Sequence, residues 1–203
     1  MSESGPTLDV ATVDADPFRQ FQVWFDEARP FMHEPEAVAL VTATRSGTPS
    51  ARMVLLRLHD QRSFGWYSNY ESRKGVELAA NPRAALLWYC EPLGRQIRIE
   101  GAVEKMSPVE SDAYFATRAR ASQLGARASD QSRPLVSRAA LESRFDEISA
   151  TFENHDVSRP DYWGGYRMRP SRFEFWQHRD DRLHDRVIYL LEDASWRLER
   201  QSP

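Results

Sequence analysis

The chain has 203 residues, 41% hydrophobic and 28% charged, with a formal net charge of −3. That is enough for one sizeable core and has the balance of an ordinary globular protein rather than a disordered chain. The slight negative charge argues against a nucleic-acid-binding module, no apolar run approaches the length of a membrane span, and no basic-then-apolar leader is present, so a cytoplasmic protein with neither nucleic-acid nor membrane partners is expected.

Residues 1–15 are polar, with no hydrophobic period, and read as a flexible tail ahead of a single domain over 16–203. Asp16 and Pro17 form an N-cap and first-turn pair, and Phe18, Phe21, Phe25 and Ala28 follow at helical spacing beside Trp24. AVALVTAT (37–44), the turn RSGTPS and ARMVLLRL (51–58) read as a β-hairpin, with FGWYS (64–68) as a third strand. Ser72 caps a short helix from Arg73 to about Ala80, closed by Asn81 and Pro82.

RAALLWYC and RQIRIEGAVEKM return to strand character. The single cysteine, Cys90, lies in the first of these, so no internal disulfide can form and the thiol reads as inert core. In the second, Ile97, Ile99 and Val103 lie opposite Gln96, Arg98 and Glu100. Ser107, Pro108 and Glu110 make a capping box with proline at the first helical position. From Ser137, the residues Leu141, Phe145, Ile148 and Phe152 mark another amphipathic helix, and YWGGYRMR, RFEFWQH, RVIYLL and WRLER follow as short strands. Roughly eight short strands joined mostly by tight turns, with helices inserted between them, predict a mainly β chain closed into an antiparallel barrel. No dinucleotide fingerprint, Walker loop or metal-spaced His/Cys cluster is present in the sequence.

The cations are lopsided: of 27 basic side chains, all but Lys74 and Lys105 are arginine, the residue suited to bidentate pairing with carboxylate and phosphate. Biased composition would produce the same excess, so location has to decide. Arg73 and Lys74 stand in the first turn of a helix, where cations oppose the dipole unless an anion is shared with the free backbone N–H groups; a solvated pair is the alternative. Tyr114, Arg118 and Ser122 recur at steps of four and on one continuing helix share a face, either as an anion clamp or as a surface ladder. Trp176 reads as barrel core or as a stacking plate, and the charged hairpin RLHDR (182–186) as a solvated turn or as part of a site.

The strings ARMVLLR, YSNYESRKG, NPRAALLWY, RQIRIEG, SDAYFATRARASQLGA, DQS, WGGYR, FEFWQ and RLHDR occur together in the order found in the pyridoxine/pyridoxamine 5'-phosphate oxidase family, which the chain resembles from about Asp16 to its end. The resemblance implies a split antiparallel β-barrel with peripheral helices. It also implies a homodimer with FMN at the interface, and oxidation of pyridoxine or pyridoxamine 5'-phosphate by O2 to pyridoxal 5'-phosphate and H2O2. On matching positions it implies that Arg52, Met53, Val54, Leu55, Tyr67 and Ser68 line the flavin and that Arg73 and Lys74 hold its phosphate. Gln96, Gln131, Ser132, Trp176 and Arg186 complete the flavin site, several from the partner subunit. Tyr114, Arg118 and Ser122, with Arg57, grip the substrate phosphate, and Arg182 and His184 cover the substrate ring as the catalytic pair.

Four departures from the pattern stand out: Arg57 in place of a lysine, Arg127 in place of a tryptophan, QHRDD in place of a glycine-containing turn, and no basic N-terminal lid. A related FMN oxidase acting on another substrate, such as a dihydrophenazine intermediate, and a non-catalytic binder of pyridoxal phosphate or flavin are the competing readings.

Overall fold

The computed structural model describes residues 7–203. Helix α1 (Pro17–Ala28) begins where the Asp16 carboxylate accepts the Phe18 N–H at 2.9 Å, and its face Phe21, Trp24, Phe25 and Ala28 is buried. The hairpin β1 (Ala37–Ala43) and β2 (Pro49–Leu55) follows, turning at Gly47, whose φ of +89° only glycine adopts without strain. Then come β3 (Leu58–His59), β4 (Phe64–Asn69), α2 (Arg73–Ala80), β5 (Arg83–Cys90) and β6 (Arg95–Lys105). Helices α3 (Pro108–Thr117), α4 (Arg120–Ala128) and α5 (Arg138–Thr151) precede the long strand β7 (Trp163–Gln177) and the closing pair β8 (Asp185–Glu192) and β9 (Ser195–Arg200).

All described strand pairs are antiparallel and form one curled sheet in the order β2-β1-β5-β6-β7-β4-β3, with β8 on β7 and β9 on β8. This is the expected split half-barrel, with five helices around it. Its inner face carries Trp66, Trp88, Phe64, Phe173 and Phe175, all essentially inaccessible, and α1 lays its aromatic face on them: Phe21 meets Phe64 edge-on at 4.8 Å and Trp24 meets Phe175 at 5.2 Å. Each such side chain removed from water contributes about 1.5–3 kcal/mol, so this layer fixes how the sheet curls. Cys90 is buried within it, as expected. Among the described residues no helix is long and apolar enough to cross a membrane, and no group of three or more His, Cys, Asp or Glu is placed to hold a metal.

Several expectations are corrected. Residues 1–6 lie outside the described residues, but 7–15 are docked rather than free: Leu8 is buried with its N–H on the Asp185 carboxylate at 3.3 Å, and the carbonyl of Asp14 accepts from the Tyr189 hydroxyl at 2.7 Å. YWGGYRMR and RFEFWQH are one strand, because a bulge opposite Glu100 and Gly101 absorbs the missing N–H of Pro170 instead of ending β7. Tyr114, Arg118 and Ser122 do not share one helix. Arg118 is extended (φ −73°, ψ 147°) between α3 and α4, and the Gln123 amide stitches the break by donating to the Phe115 carbonyl at 2.9 Å.

A candidate active site under helices α3 and α4

A cavity of about 460 Å³ opens between the end of β2, the strand β4, the start of α2 and the α3–α4 junction. Each wall has a local cause. The Ser72 side chain caps α2 by accepting the Gly75 N–H, and a Cβ at Gly75 would overlap the Tyr70 backbone, so glycine lets the helix start press against the strand that carries Tyr67 and Ser68. The capping box at Ser107 and Glu110 starts α3 and directs Tyr114 inward. Tyr114 stacks on Tyr67 at 3.7 Å and Tyr67 on Trp163 at 5.5 Å, giving the cavity a flat aromatic wall.

Two groups of donors face this space. Lys74 is buried, and its ammonium donates to Ser68 Oγ at 2.8 Å, Gln131 Oε1 at 2.7 Å and Ser72 Oγ at 3.2 Å, all neutral acceptors. Burial, reinforced by the charge of Arg52, pushes its pKa down to about 8. At the other group, Arg118 lies with its guanidinium 4.7 Å above the Trp163 ring, and its Nη1 is buried without a hydrogen-bond partner. Burial lowers the Arg118 pKa and Arg57 adds to that effect, although Tyr114 opposes it. A buried ammonium without a carboxylate and a buried guanidinium nitrogen without an acceptor are costly unless anions complete them. The donor set therefore fits two phosphoryl groups.

Met53, Val54, Leu55, Tyr67, Ser68, Lys74 and Gln131, expected around a flavin, line the same cavity as Arg57, Tyr114, Arg118 and Ser122, expected around a substrate. Arg52 and Arg73 do not line it. Both turn to the buried carboxylate of Glu77, Arg73 Nε at 2.9 Å and Arg52 Nη2 at 3.5 Å. Ser132, with φ +69°, lines a smaller neighbouring hollow of about 190 Å³ that shares Gln131.

The remaining expected residues lie elsewhere on the chain. Gln96, Trp176 and Arg186 are cross-strand partners in one row over β6, β7 and β8. Trp176 is half-buried beside His184, ring centroids 4.6 Å apart, so it is not barrel core. Trp176, Arg182 and His184 line a separate open cleft, and among the described residues none lines both this cleft and the first cavity. The carboxylates of the hairpin divide: Asp185 is buried and structural, accepting from Arg179 Nε at 2.7 Å, whereas Asp181 and Arg182 form an exposed turn with φ of +56° and +62°. Arg186 donates through Nε and Nη2 to Glu174 Oε1 at 3.1 and 2.9 Å.

Sequence reasoning missed three residues. Trp163 forms the floor under Arg118; Glu77 stands at i+4 from Arg73 on α2, a spacing that signals an ion pair; Glu174 alternates with Phe173 and Phe175, which marks it as facing away from the core.

Comparison with solved structures places the fold. PhzG from Burkholderia lata, crystallised with tetrahydrophenazine-1-carboxylic acid, superposes with a TM-score of 0.91 at 31% identity, covering 99% of this chain and 100% of that one. A pyridoxamine 5'-phosphate oxidase-related, FMN binding protein from Nostoc punctiforme gives 0.75 at 17% identity, covering 94% of this chain and 100% of that one, and supports the fold alone. Fold and cavity together define the class: a split-barrel protein of the pyridoxamine 5'-phosphate oxidase-like fold with a cation-lined cavity. The family model described as pyridoxamine 5'-phosphate oxidase matches residues 25–152, and that described as the pyridoxine 5'-phosphate oxidase C-terminal dimerisation region matches residues 163–203. Pyridoxine/pyridoxamine 5'-phosphate oxidase of Rubrobacter xylanophilus is 55% identical over 94% of this chain and 88% of its own length; that of Trichormus variabilis is 50% identical over 97% and 92%. The chain belongs to the pyridoxine/pyridoxamine 5'-phosphate oxidase family. The family implies a flavin, and the C-terminal region suggests a homodimer.

Proposed function

We propose that this chain is an FMN-dependent oxidase that converts pyridoxine or pyridoxamine 5'-phosphate with O2 to pyridoxal 5'-phosphate and H2O2, working in the cytoplasm as a homodimer with FMN across the interface. The observation that carries the reading is one cavity with two cations that lack a counter-charge, Lys74, whose three hydrogen bonds all go to neutral acceptors, and Arg118, whose Nη1 has no acceptor at all. Lys74, with Arg52 and Arg73 nearby, holds the FMN phosphate, while Arg118, Arg57, Tyr114 and Ser122 grip the phosphate of the vitamer. The cofactor, when bound, supplies two-electron acceptance from the substrate 4'-carbon and passes the electrons to dioxygen.

The side chains supply placement. A vitamer tethered by its phosphate loses most of its translational freedom before reaction, and a near-attack arrangement held in this way accounts for several kcal/mol of barrier lowering, up to about 7–11 in well-oriented systems. The wall formed by Tyr67, Tyr114 and Trp163 excludes water from one side of the site. Arg182 and His184 lie outside the cavity of their own chain, which supports a site completed by the partner subunit, with Gln96, Trp176 and Arg186 of the same outer surface beside them. The domain on this reading is residues 16–203, with residues 7–15 packed onto it through Leu8 and Asp14.

The test is direct: purified protein is examined for bound flavin, then mixed in air with pyridoxine or pyridoxamine 5'-phosphate while aldehyde and peroxide are followed. Flavin with turnover of both is expected. Flavin with both vitamers inert favours an oxidase of another substrate, and a colourless protein that binds pyridoxal phosphate without forming peroxide favours a carrier.

A further inference from the structure

Glu77 is one of the most buried charged residues in the chain, 4% exposed, yet it sits on α2 one turn after Arg73 and Lys74. Its Oε2 accepts from the hydroxyls of Thr42 and Ser50, each at 2.5 Å, and its Oε1 accepts from Arg73 Nε at 2.9 Å. Thr42 and Ser50 are cross-strand partners on β1 and β2 and also bind Arg52, Thr42 Oγ1 to Nη1 at 2.6 Å and Ser50 Oγ to Nη2 at 2.5 Å. One carboxylate thus ties the first turn of α2 to the β1–β2 hairpin and holds two guanidinium groups at once. Burial alone would raise its pKa, but the donors Ser50, Thr42 and Arg73 outweigh that and hold it at about 2, so the group is an anion at any working pH.

We propose that Glu77 is the positioning residue of the cofactor-phosphate site, fixing Arg52 and Arg73 beside Lys74 so that an incoming phosphate meets cations already oriented. Charge supports this. Arg52, Arg73 and Lys74 bring three positive charges together, and Glu77 leaves a balance of two, which matches a phosphate monoester dianion. Geometry agrees: Arg73 spends only its Nε on Glu77, so its two terminal nitrogens stay available as donors. The carboxylate acts through the arginines and has no contact with the cavity itself.

The proposal rests on the reading of Lys74 and its neighbours as the FMN-phosphate site, and FMN and riboflavin, which differ only in the phosphate, separate the two claims. Apoprotein is titrated with each flavin, following quenching of flavin fluorescence, for the wild type, E77Q, R73A and the double variant. The phosphate-site reading requires the wild type to bind FMN far more tightly than riboflavin; equal affinities would remove that reading itself. Given discrimination in the wild type, E77Q is expected to weaken FMN about tenfold or more while leaving riboflavin unchanged. Added to R73A, it is expected to cost clearly less than it does alone, because the two act as a unit.

FMN binding in E77Q as tight as in the wild type or tighter overturns the proposal. So does an equal loss for both flavins. Should E77Q not fold, the pair T42V and S50A keeps the charge but strips the hydroxyls that aim the carboxylate; a several-fold loss for FMN alone is expected, and unchanged FMN affinity overturns the proposal.

Discussion

The backbone N–H of Arg179 donates to Nδ1 of His184 at 3.1 Å. A backbone amide can only donate, so Nδ1 is the acceptor and the neutral ring carries its proton on Nε2. His184 lines the open cleft with Trp176 and Arg182, and with Nδ1 taken by the Arg179 amide its Nε2–H is the ring nitrogen left to serve a ligand. On the proposed reading, this tautomer would orient the substrate as a donor rather than abstract a proton. Glutamine, whose amide reaches the place of Nε2, is expected to retain more of kcat/KM than asparagine, whose amide reaches only as far as Nδ1. Steady-state kinetics of H184Q and H184N check this, and the reverse order would assign the essential role to Nδ1.

The lowered pKa of Lys74 sets a pH dependence. With the folded value at about 8 and the ordinary lysine value of 10.5 in the unfolded chain, the unfolded state holds more protons between those two points. Stability of the apoprotein therefore rises with pH across that window as far as Lys74 is concerned, and below about 8 the penalty of the buried ammonium is present in full. A bound phosphate favours the charged form, so FMN binding above about pH 8 takes up a proton and weakens as pH rises. Calorimetric titration at pH 8.5–9 in two buffers of different ionisation enthalpy reads that uptake, which K74M is expected to abolish; no buffer dependence in the wild type would contradict it.

Glu174 is a second buried carboxylate, 2% exposed, that gathers arginines on the outer face of the sheet. Arg98 reaches it at 3.2 Å, Arg172 at 3.6 Å and Arg186 at 2.9 Å. Removing it leaves three guanidinium groups crowded without their common partner. E174A is expected to lose about 2–3 kcal/mol, short of a fully buried pair because its partners reach solvent, and E174Q less. Urea denaturation of the apoprotein measures both, and a loss below about 0.5 kcal/mol in E174A would show that the arginines re-pair without it.

How much of this was legible depended on how local each cause is. The capping residues Asp16, Ser72 and Ser107 act within one turn, and each helix starts where the sequence places it. The break at Arg118 has no proline or glycine to announce it and is held by the Trp163 ring and the Gln123 amide, contacts formed only in three dimensions. Pro170 misleads in the other direction, since a bulge at Ser171 on β7 itself, opposite Glu100 and Gly101, lets the strand continue. Docking of 7–15 depends on Asp185 and Tyr189, far along the chain.

The site divides in the same way. Lys74, Tyr114, Arg118 and Ser122 line one cavity although the last three do not share the helix their spacing suggests, whereas the shift of Arg52 and Arg73 onto Glu77 follows from the pairing of α2 with the β1–β2 hairpin. The position of the RLHDR hairpin away from that cavity is a property of one chain whose site the partner is proposed to complete.

Arg118 provides the most direct test that one cavity holds two phosphoryl groups separately. Steady-state kinetics with pyridoxine 5'-phosphate, paired with a flavin-content measurement on the same R118A preparation, should give a KM raised about 10- to 100-fold with flavin content unchanged. Loss of flavin with KM unaltered would contradict the account.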